Sequence, residues 1–107
     1  MTKYGAIPTT VDGYRFASRA EARRYAELRL MALTGEIAGL ELHPRFQLVV
    51  NGQSIGAYIA DFAYTDVATG RRVVEDVKGG QATRTAVYRL KRRLMLACHG
   101  IEITEVG

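Results

Sequence analysis

The chain has one cysteine, two histidines and no tryptophan among its 107 residues. Because Cys98 stands alone, no internal disulfide can form, and with two distant histidines it cannot build a tetrahedral zinc site. A lone cysteine is typical of a reducing, cytoplasmic setting. Long apolar runs are also absent, including near Met1, so we expect neither a membrane-spanning segment nor a secretory signal.

Acidic residues are missing between Lys78 and Ile101, although the net charge of the whole chain is only +4. Basic charge is concentrated on the first and last predicted helices, which is typical of proteins that hold a phosphate backbone. A solvated basic helix face explains the same pattern. The residues that we expect to bind a polyanion are Arg19, Arg23, Arg84, Arg89, Lys91 and Arg92.

The length predicts one domain over residues 1–107, with residues 1–17 as a loop-like N-terminal arm. A capping box, with Ser18 at the N-cap and Glu21 three residues later, predicts a helix over residues 18–34. Residues 36–44 are expected to be a connector. The predicted buried stripe of the helix consists of Ala22, Tyr25, Leu28 and Ala32.

Alternating apolar residues and turn signals predict an antiparallel meander of strands over residues 45–50, 58–64 and 71–78, ended by Gly79-Gly80. A second helix is predicted from about Thr83 to Cys98. Residues 101–106 form a last strand, which returns beside and parallel to an earlier one. The order αβββαβ places the chain in the α+β class with a mixed sheet. The predicted buried stripe of the second helix consists of Val87, Leu90, Leu94, Ala97 and Cys98.

Four polar residues occupy positions where a purely structural sequence favours apolar side chains. Asp61 lies inside an apolar predicted strand, and Asp76 and Lys78 are two residues apart, so their side chains share a face of the sheet. Glu21 falls on the apolar stripe of the first helix, and it approaches the strand carboxylates if that stripe packs on the sheet.

Clustered carboxylates repel each other and lose solvation, and a divalent cation relieves both costs. Oxygen ligands of this kind predict Mg²⁺ or Mn²⁺. Beside them, Lys78 can assist a water nucleophile or offset charge in a phosphorane-like transition state. The combination is typical of phosphodiester hydrolysis.

Each residue also has a structural interpretation. Glu21 completes the capping box, and Asp61 fits a surface position on an edge strand. Asp76 and Lys78 fit an exposed ion pair. Glu75 neighbours Asp76, but strand alternation directs it to the opposite face, and only a slipped register would bring it into the site.

Both histidines are interpreted as structural. His43 precedes Pro44 in the predicted connector, and His99 lies near a helix C-terminus, where the helix dipole favours it. Tyr88 and Lys91, one turn apart on the second helix, could approach the edge of the site.

An Asp, a hairpin and an Asp-x-Lys strand end, with Glu21 on the first helix, together resemble the PD-(D/E)xK nuclease superfamily. Ala60 stands where a proline usually precedes the first Asp. The chain is also similar to a family of small phage and prophage proteins long described as of unknown function. The segments that carry this likeness are Lys3-Tyr4 and residues 12–21, 35–37, 58–62, 75–79 and 88–93.

The resemblance implies a restriction-endonuclease-like fold and Mg²⁺- or Mn²⁺-dependent hydrolysis of DNA phosphodiesters. The catalytic residues it implies are Glu21, Asp61, Asp76 and Lys78. The implied metal ligands are Asp61, Asp76, Glu21 and the carbonyl oxygen of Val77. Similarity to transposon end-cleaving endonucleases and phage junction-resolving endonucleases further implies a Holliday junction resolvase-like homodimer that acts on branched DNA in a bacterial host cell.

Two other hypotheses are compatible with the sequence. One is a catalytically inactive DNA-binding module of the same fold in a phage complex, although an inactive copy would be free to lose the acid–acid–lysine set. The other is a small α+β interaction protein whose acids form surface ion pairs. For a dimer, Leu30 and Leu96 on otherwise polar helix faces are the candidate contacts.

Overall fold

The computed structural model describes residues 7–79 and 84–107, and the predicted features at Lys3-Tyr4, Gly80 and Thr83 lie outside these residues. The described part of the chain is an α+β structure, as the sequence predicts. Neither of its helices combines the length and the apolar character that crossing a membrane requires. The elements in chain order are β1 (Thr9–Val11), β2 (Tyr14–Phe16), α1 (Arg19–Leu33), β3 (Ile37–Leu42), β4 (Arg45–Val50), β5 (Gln53–Ile59), β6 (Phe62–Asp66), β7 (Arg72–Val77), α2 (Ala86–His99) and β8 (Thr104–Val106).

A four-stranded mixed sheet in the order β3-β6-β7-β8 forms the centre of the fold. The pairs β3–β6 and β6–β7 are antiparallel, whereas β8 runs parallel to β7 and places Glu105 opposite Asp76. A strand that returns parallel to its partner needs a crossover, and α2 supplies it. The predicted mixed sheet with a returning last strand is therefore confirmed.

The two faces of this sheet are covered by different elements. On the α1 face, Phe62 and Tyr64 pack with α1 and the β1–β2 hairpin, whose Phe16 is fully buried. On the α2 face, Ala63 and Val74 pack with α2 and the β4–β5 hairpin. Because strand residues alternate between faces, neighbouring residues of β7 belong to separate cores.

Helix α1 begins where the capping pattern predicts. The Ser18 hydroxyl accepts a hydrogen bond from the Glu21 backbone N–H at 3.1 Å. The buried residues Ala22, Tyr25 and Leu28 match the predicted stripe, but Ala32 is exposed and Met31 packs on the core in its place. The N-terminal residues ahead of the helix are also less loop-like than expected, because β1 and β2 form a hairpin against α1.

Two strand predictions are wrong. The predicted connector over residues 36–44 contains β3, which pairs with β6 and forms an edge of the central sheet. The predicted single strand over residues 58–64 is broken at Ala60 and Asp61. Its first part belongs to the β4–β5 hairpin and its second part to the central sheet, so the predicted meander divides into two sheets. An uninterrupted apolar run conceals such a change of sheet.

The predicted buried stripe of α2 is only partly right, because Leu94 packs on the core and Cys98 is half-buried, but Ala97 is exposed. Val87 and Leu90 are 62% and 56% exposed, whereas Tyr88 and Met95 are buried against the β4–β5 hairpin and Ile103. One residue along a helix corresponds to a rotation of about 100°. The buried face is therefore centred one residue further along the chain, at Tyr88 and Met95, with Leu94 at its border.

Candidate active site

Asp61 lies in the break between β5 and β6, at the end of the central sheet rather than inside a strand. Its backbone N–H donates to the Glu75 carbonyl at 3.1 Å, and its carboxylate Oδ2 accepts from the Val77 N–H at 2.6 Å. The side chain is thereby held against the backbone of β7, where the Asp-x-Lys segment ends. The break gives Asp61 access to groups on both faces of the sheet.

On the α1 face, Glu21 and His43 lie beside Asp61. Glu21 is 5% exposed in the first turn of α1, and its Oε1 is 2.8 Å from His43 Nε2. Ligand atoms of Glu21, His43 and Asp61 all lie within 4.8 Å of one another. The Glu21 side chain thus faces the site, while its backbone N–H serves the helix cap.

On the α2 face, Asp76 is 7% exposed and accepts a hydrogen bond from the Tyr58 hydroxyl. Lys78 Nζ lies 3.4 Å from Asp76 Oδ1 and 3.6 Å from the centre of the Tyr88 ring. The aromatic face and the carboxylate both favour the ammonium group at this position. The same-face relation predicted for Asp76 and Lys78 is confirmed.

The two halves of the site meet electrostatically at Asp61. Burial raises the pKa of the Asp61 carboxyl to about 8; the Val77 N–H opposes this, and the charges of Asp76 and Glu21 add to it. Burial and the bond to Asp76 raise the pKa of Tyr58 as well, which keeps its hydroxyl a donor. Burial therefore disfavours the charged form of Asp61, which lies beside two other acidic side chains.

This donor set fits a divalent cation. Carboxylate oxygens are the ligands that Mg²⁺ and Mn²⁺ prefer, and a cation at Asp61 offsets the burial and the repulsion from Asp76 and Glu21 that raise the pKa of Asp61. Glu21 on the α1 face and Asp76 on the α2 face are the acids that could share such an ion with Asp61. The Val77 carbonyl was also expected as a ligand, and the N–H of the same residue bonds the Asp61 carboxylate.

Glu75 is directed away from Asp76, as strand alternation predicts. It is 1% exposed on the α1 face, where Arg24 Nε and Nη2 donate to its two oxygens at 2.8 and 2.6 Å. The Tyr64 hydroxyl also donates to it. A carboxylate that accepts hydrogen bonds from this many donors belongs to a structural ion pair and has no oxygen available for a metal ion.

The basic residues in α2 and just before it are not equivalent. Lys91 lines an open groove together with Asp76, Lys78 and Tyr58. Arg84 and Arg92 each lie 3.3 Å from a Glu105 oxygen, so a carboxylate already neutralises part of their charge. Arg89 bonds the Arg84 carbonyl and, with Arg92, lines a different groove. On α1, Arg19 and Arg23 are exposed.

Sequence reasoning missed His43, Tyr58 and Glu105. His43 was interpreted as structural, since nothing in its neighbourhood along the chain shows that β3 leads it back to Asp61. Tyr58 was missed because it lies in an apolar segment, where it alternates with Ala60. The one feature in the sequence that could have indicated its role is its hydroxyl group. Glu105 is an acid opposite Asp76 on the last strand, a relation that only the parallel pairing reveals. The other histidine, His99, bonds the Gln47 carbonyl.

Residues 1–102 match the family described as "Protein of unknown function (DUF1064)", and the chain belongs to this family. No curated protein matches the chain. No solved structure matches it either.

Proposed function

We propose that the protein is a divalent-metal-dependent DNA endonuclease that hydrolyses phosphodiester bonds. The observation that carries the proposal is the position of Asp61 at the sheet end, bonded to the Val77 N–H, with Glu21 on one side and Asp76 with Lys78 on the other. A structural role does not explain why three acidic side chains converge at a place where burial opposes the charge of Asp61. The PD-(D/E)xK resemblance agrees with these four residues.

The proposed roles follow from the contacts of each side chain. Asp61, Asp76 and Glu21 would hold Mg²⁺ or Mn²⁺, with the Val77 carbonyl as a further ligand, and the bound ion would polarise the scissile phosphate and the attacking water. Lys78 is held between Asp76 and the Tyr88 ring, where its ammonium group can stabilise negative charge that develops on the phosphate. Tyr58 orients Asp76 by hydrogen bonding.

A DNA contact surface beside this site is part of the proposal. Lys91 adjoins Asp76 in the same groove, and a polyanion in that groove would pass over Lys78. The exposed Arg19 and Arg23 begin the helix that carries Glu21. Arg84, just before α2, and Arg89 and Arg92 on α2 would extend the contact to more distant phosphates.

Cleavage of linear, nicked and four-way junction DNA with Mg²⁺ or Mn²⁺ tests the proposal. Asp76→Asn and Lys78→Ala are expected to lose at least about 100-fold in cleavage rate, because the first removes a proposed metal ligand and the second a positive charge beside the reacting phosphate. DNA binding should survive both changes. Glu21→Gln is the third variant, and it separates a ligand from a helix cap, since the cap uses the backbone N–H of Glu21.

A matched control for Glu21→Gln is Glu36→Gln. Glu36 is exposed beyond the opposite end of α1, where it bonds Thr34, and α1 extends over about 20 Å. The control should cleave like the unmodified protein. Cleavage by Asp76→Asn or Lys78→Ala at the normal rate would refute the assignment of that residue to the active site, and an unmodified protein that cleaves none of these substrates would refute the nuclease. Metal-dependent DNA binding without cleavage would instead favour an inactive DNA-binding module.

A preference for branched DNA and a homodimer form the more specialised part of the proposal. A junction resolver cuts two strands symmetrically, which a twofold dimer accomplishes. The exposed Leu30 on α1 and Leu96 on α2 are 61% and 55% exposed and are the candidate contacts. The proposed setting is phage recombination or packaging in the cytoplasm of a bacterial host. Equal cleavage of junction and linear DNA by a monomer would contradict this part alone.

A further inference from the structure

His43 is fixed opposite Asp61 by the backbone. Its N–H donates to the Asp61 carbonyl at 3.0 Å, and the carbonyl of the next residue, Pro44, accepts from the Ala60 N–H at 3.1 Å. His43 has φ of 51°, a left-handed conformation that histidine, asparagine and aspartate adopt more readily than most residues. The chain thus turns sharply between β3 and β4 at the point where it passes Asp61.

The imidazole faces Glu21. Its Nε2 is 2.8 Å from Glu21 Oε1, its ring centre is 6.3 Å from that of Phe16, and its side chain is 44% exposed. One edge of the ring therefore meets a buried carboxylate while the rest of the ring meets solvent. An ion pair alone accounts for the contact with Glu21, but it does not account for the closeness of Asp61.

The spacing of the three side chains suits a single ion. Around an octahedral ion with ligands at about 2.1 Å, adjacent ligand atoms are about 3 Å apart and opposite ones about 4.2 Å apart. The Glu21–His43 separation of 2.8 Å matches adjacent ligands, and all three residues offer atoms within 4.8 Å of one another. Small rotations of the three side chains would close these distances onto one cation.

A nitrogen ligand changes which ion such a site prefers. Mg²⁺ takes oxygen ligands almost exclusively, whereas affinity for mixed nitrogen and oxygen sites rises along the first transition series from Mn²⁺ onwards. We propose that Glu21, His43 and Asp61 form a metal site that prefers Mn²⁺ to Mg²⁺, with His43 as its nitrogen ligand. This inference rests on the proposed function for the use of the ion, but not for its binding.

Metal binding by the full chain tests the proposal without any DNA. Metals are first removed with a chelator. Mn²⁺ binding is then measured by the decrease in the electron paramagnetic resonance signal of free Mn²⁺, and Mg²⁺ binding is measured by calorimetry. The unmodified protein should bind Mn²⁺ at least about tenfold more tightly than Mg²⁺. Pulsed electron resonance of bound Mn²⁺ should show coupling to a directly bound imidazole nitrogen.

His43→Asn is the decisive variant. Asparagine tolerates the left-handed backbone and offers an amide oxygen in place of the imidazole nitrogen, so the fold should survive. The nitrogen coupling should vanish, and Mn²⁺ affinity should fall about 10-fold or more while Mg²⁺ affinity changes little, so that the preference for Mn²⁺ is lost. Unchanged circular dichroism would show that folding is not the cause.

His99→Asn is the matched control, because His99 is the other histidine and bonds the Gln47 carbonyl on the α2 side. It should keep both the nitrogen coupling and the Mn²⁺ preference. Nitrogen coupling that persists in His43→Asn, or equal affinity of the unmodified protein for the two ions, would overturn the proposal. Mn²⁺ binding through His43 without any DNA cleavage would refute the proposed nuclease and leave this site standing. If His43→Asn cleaves DNA at the normal rate and Mg²⁺ and Mn²⁺ support equal rates, the proposed nuclease stands and the role of His43 as a metal ligand is refuted.

Discussion

The Asp61 carboxylate accepts a hydrogen bond of 2.6 Å from the Val77 N–H, and this bond joins the break between β5 and β6 to the end of β7. Val77 stands between Asp76 and Lys78, so the bond sets the position of Asp61 relative to both. The Asp61 carboxylate also lies near Glu21, and burial raises the pKa of Asp61 to about 8. When no cation is bound, the negatively charged form of Asp61 therefore destabilises the folded protein.

Asp61→Asn is expected to abolish cleavage and yet stabilise the metal-free protein at pH 8. The asparagine carbonyl can still accept from Val77 N–H, while the buried charge is removed. A gain of about 1 kcal/mol would raise the melting temperature by about 4–8 °C in a domain of this size. Thermal unfolding in chelator measures the change, and a melting temperature equal to or below that of the unmodified protein would contradict it.

The stabilisation by Asp61→Asn should depend on pH in a defined direction. The Asp61 pKa is raised in the folded state, from 3.8 to about 8, so the carboxyl favours folding fully below pH 4 and loses this contribution as the pH rises towards 8. The two proteins should therefore melt alike near pH 4 and diverge between pH 4 and 8. Mn²⁺ at saturation should reverse the order, because it binds only the unmodified carboxylate well.

Much of this arrangement follows from local sequence signals. The capping residues Ser18 and Glu21 fix where α1 begins, and period-two alternation separates Glu75 from Asp76 correctly. Both are decided by residues within a few positions of each other. Helix capping and strand alternation can be predicted from the sequence because few alternative local structures are compatible with these residues.

The remainder depends on contacts between distant residues. His43 lies beside Asp61 only because β3 pairs with β6. Without knowledge of that pairing, nothing distinguishes His43 from an ordinary histidine in a loop. The orientation of α2 was mispredicted because Tyr88, which is both apolar and hydrogen-bonding, was not counted among the buried residues. Its ring is buried and its hydroxyl bonds Glu105, and only the position of β8 makes both possible.

The Tyr88 ring is expected to position Lys78. Tyr88→Phe keeps the ring beneath the ammonium group, whereas Tyr88→Leu removes it. The leucine variant should lose about two- to thirtyfold in kcat, which corresponds to a cation–π contribution of about 0.5–2 kcal/mol. KM should change little, and phenylalanine should restore kcat. If Tyr88→Phe and Tyr88→Leu are equally impaired, the hydroxyl bond to Glu105 matters and the ring does not.

Glu75 is expected to support the fold and not the chemistry. Glu75→Ala leaves Arg24 and Tyr64 without their shared buried partner, which should lower stability by about 3–5 kcal/mol. Glu41→Ala is the matched control, because the Glu41–Arg72 pair is exposed and should contribute about 0–1 kcal/mol. Urea unfolding measures both. Folded Glu75→Ala at low temperature should still cleave DNA, and loss of cleavage in fully folded protein would place Glu75 in the active site.

Glu105→Gln is expected to tighten DNA binding. Glu105 pairs with both Arg84 and Arg92, so removing its charge ends its neutralisation of two guanidinium groups that are proposed to contact phosphates, while glutamine can still accept from the Tyr88 hydroxyl. Affinity should rise about two- to fivefold, which corresponds to the ~0.5–1 kcal/mol of a largely solvated ion pair. The dependence of binding on salt should also become steeper, by about 0.9 in the logarithmic slope for each phosphate gained. Glu36→Gln, at an exposed acid beyond the C-terminal end of α1, makes the same change in net charge. An equal gain in both variants would show that net charge alone acts, and that Arg84 and Arg92 do not contact DNA.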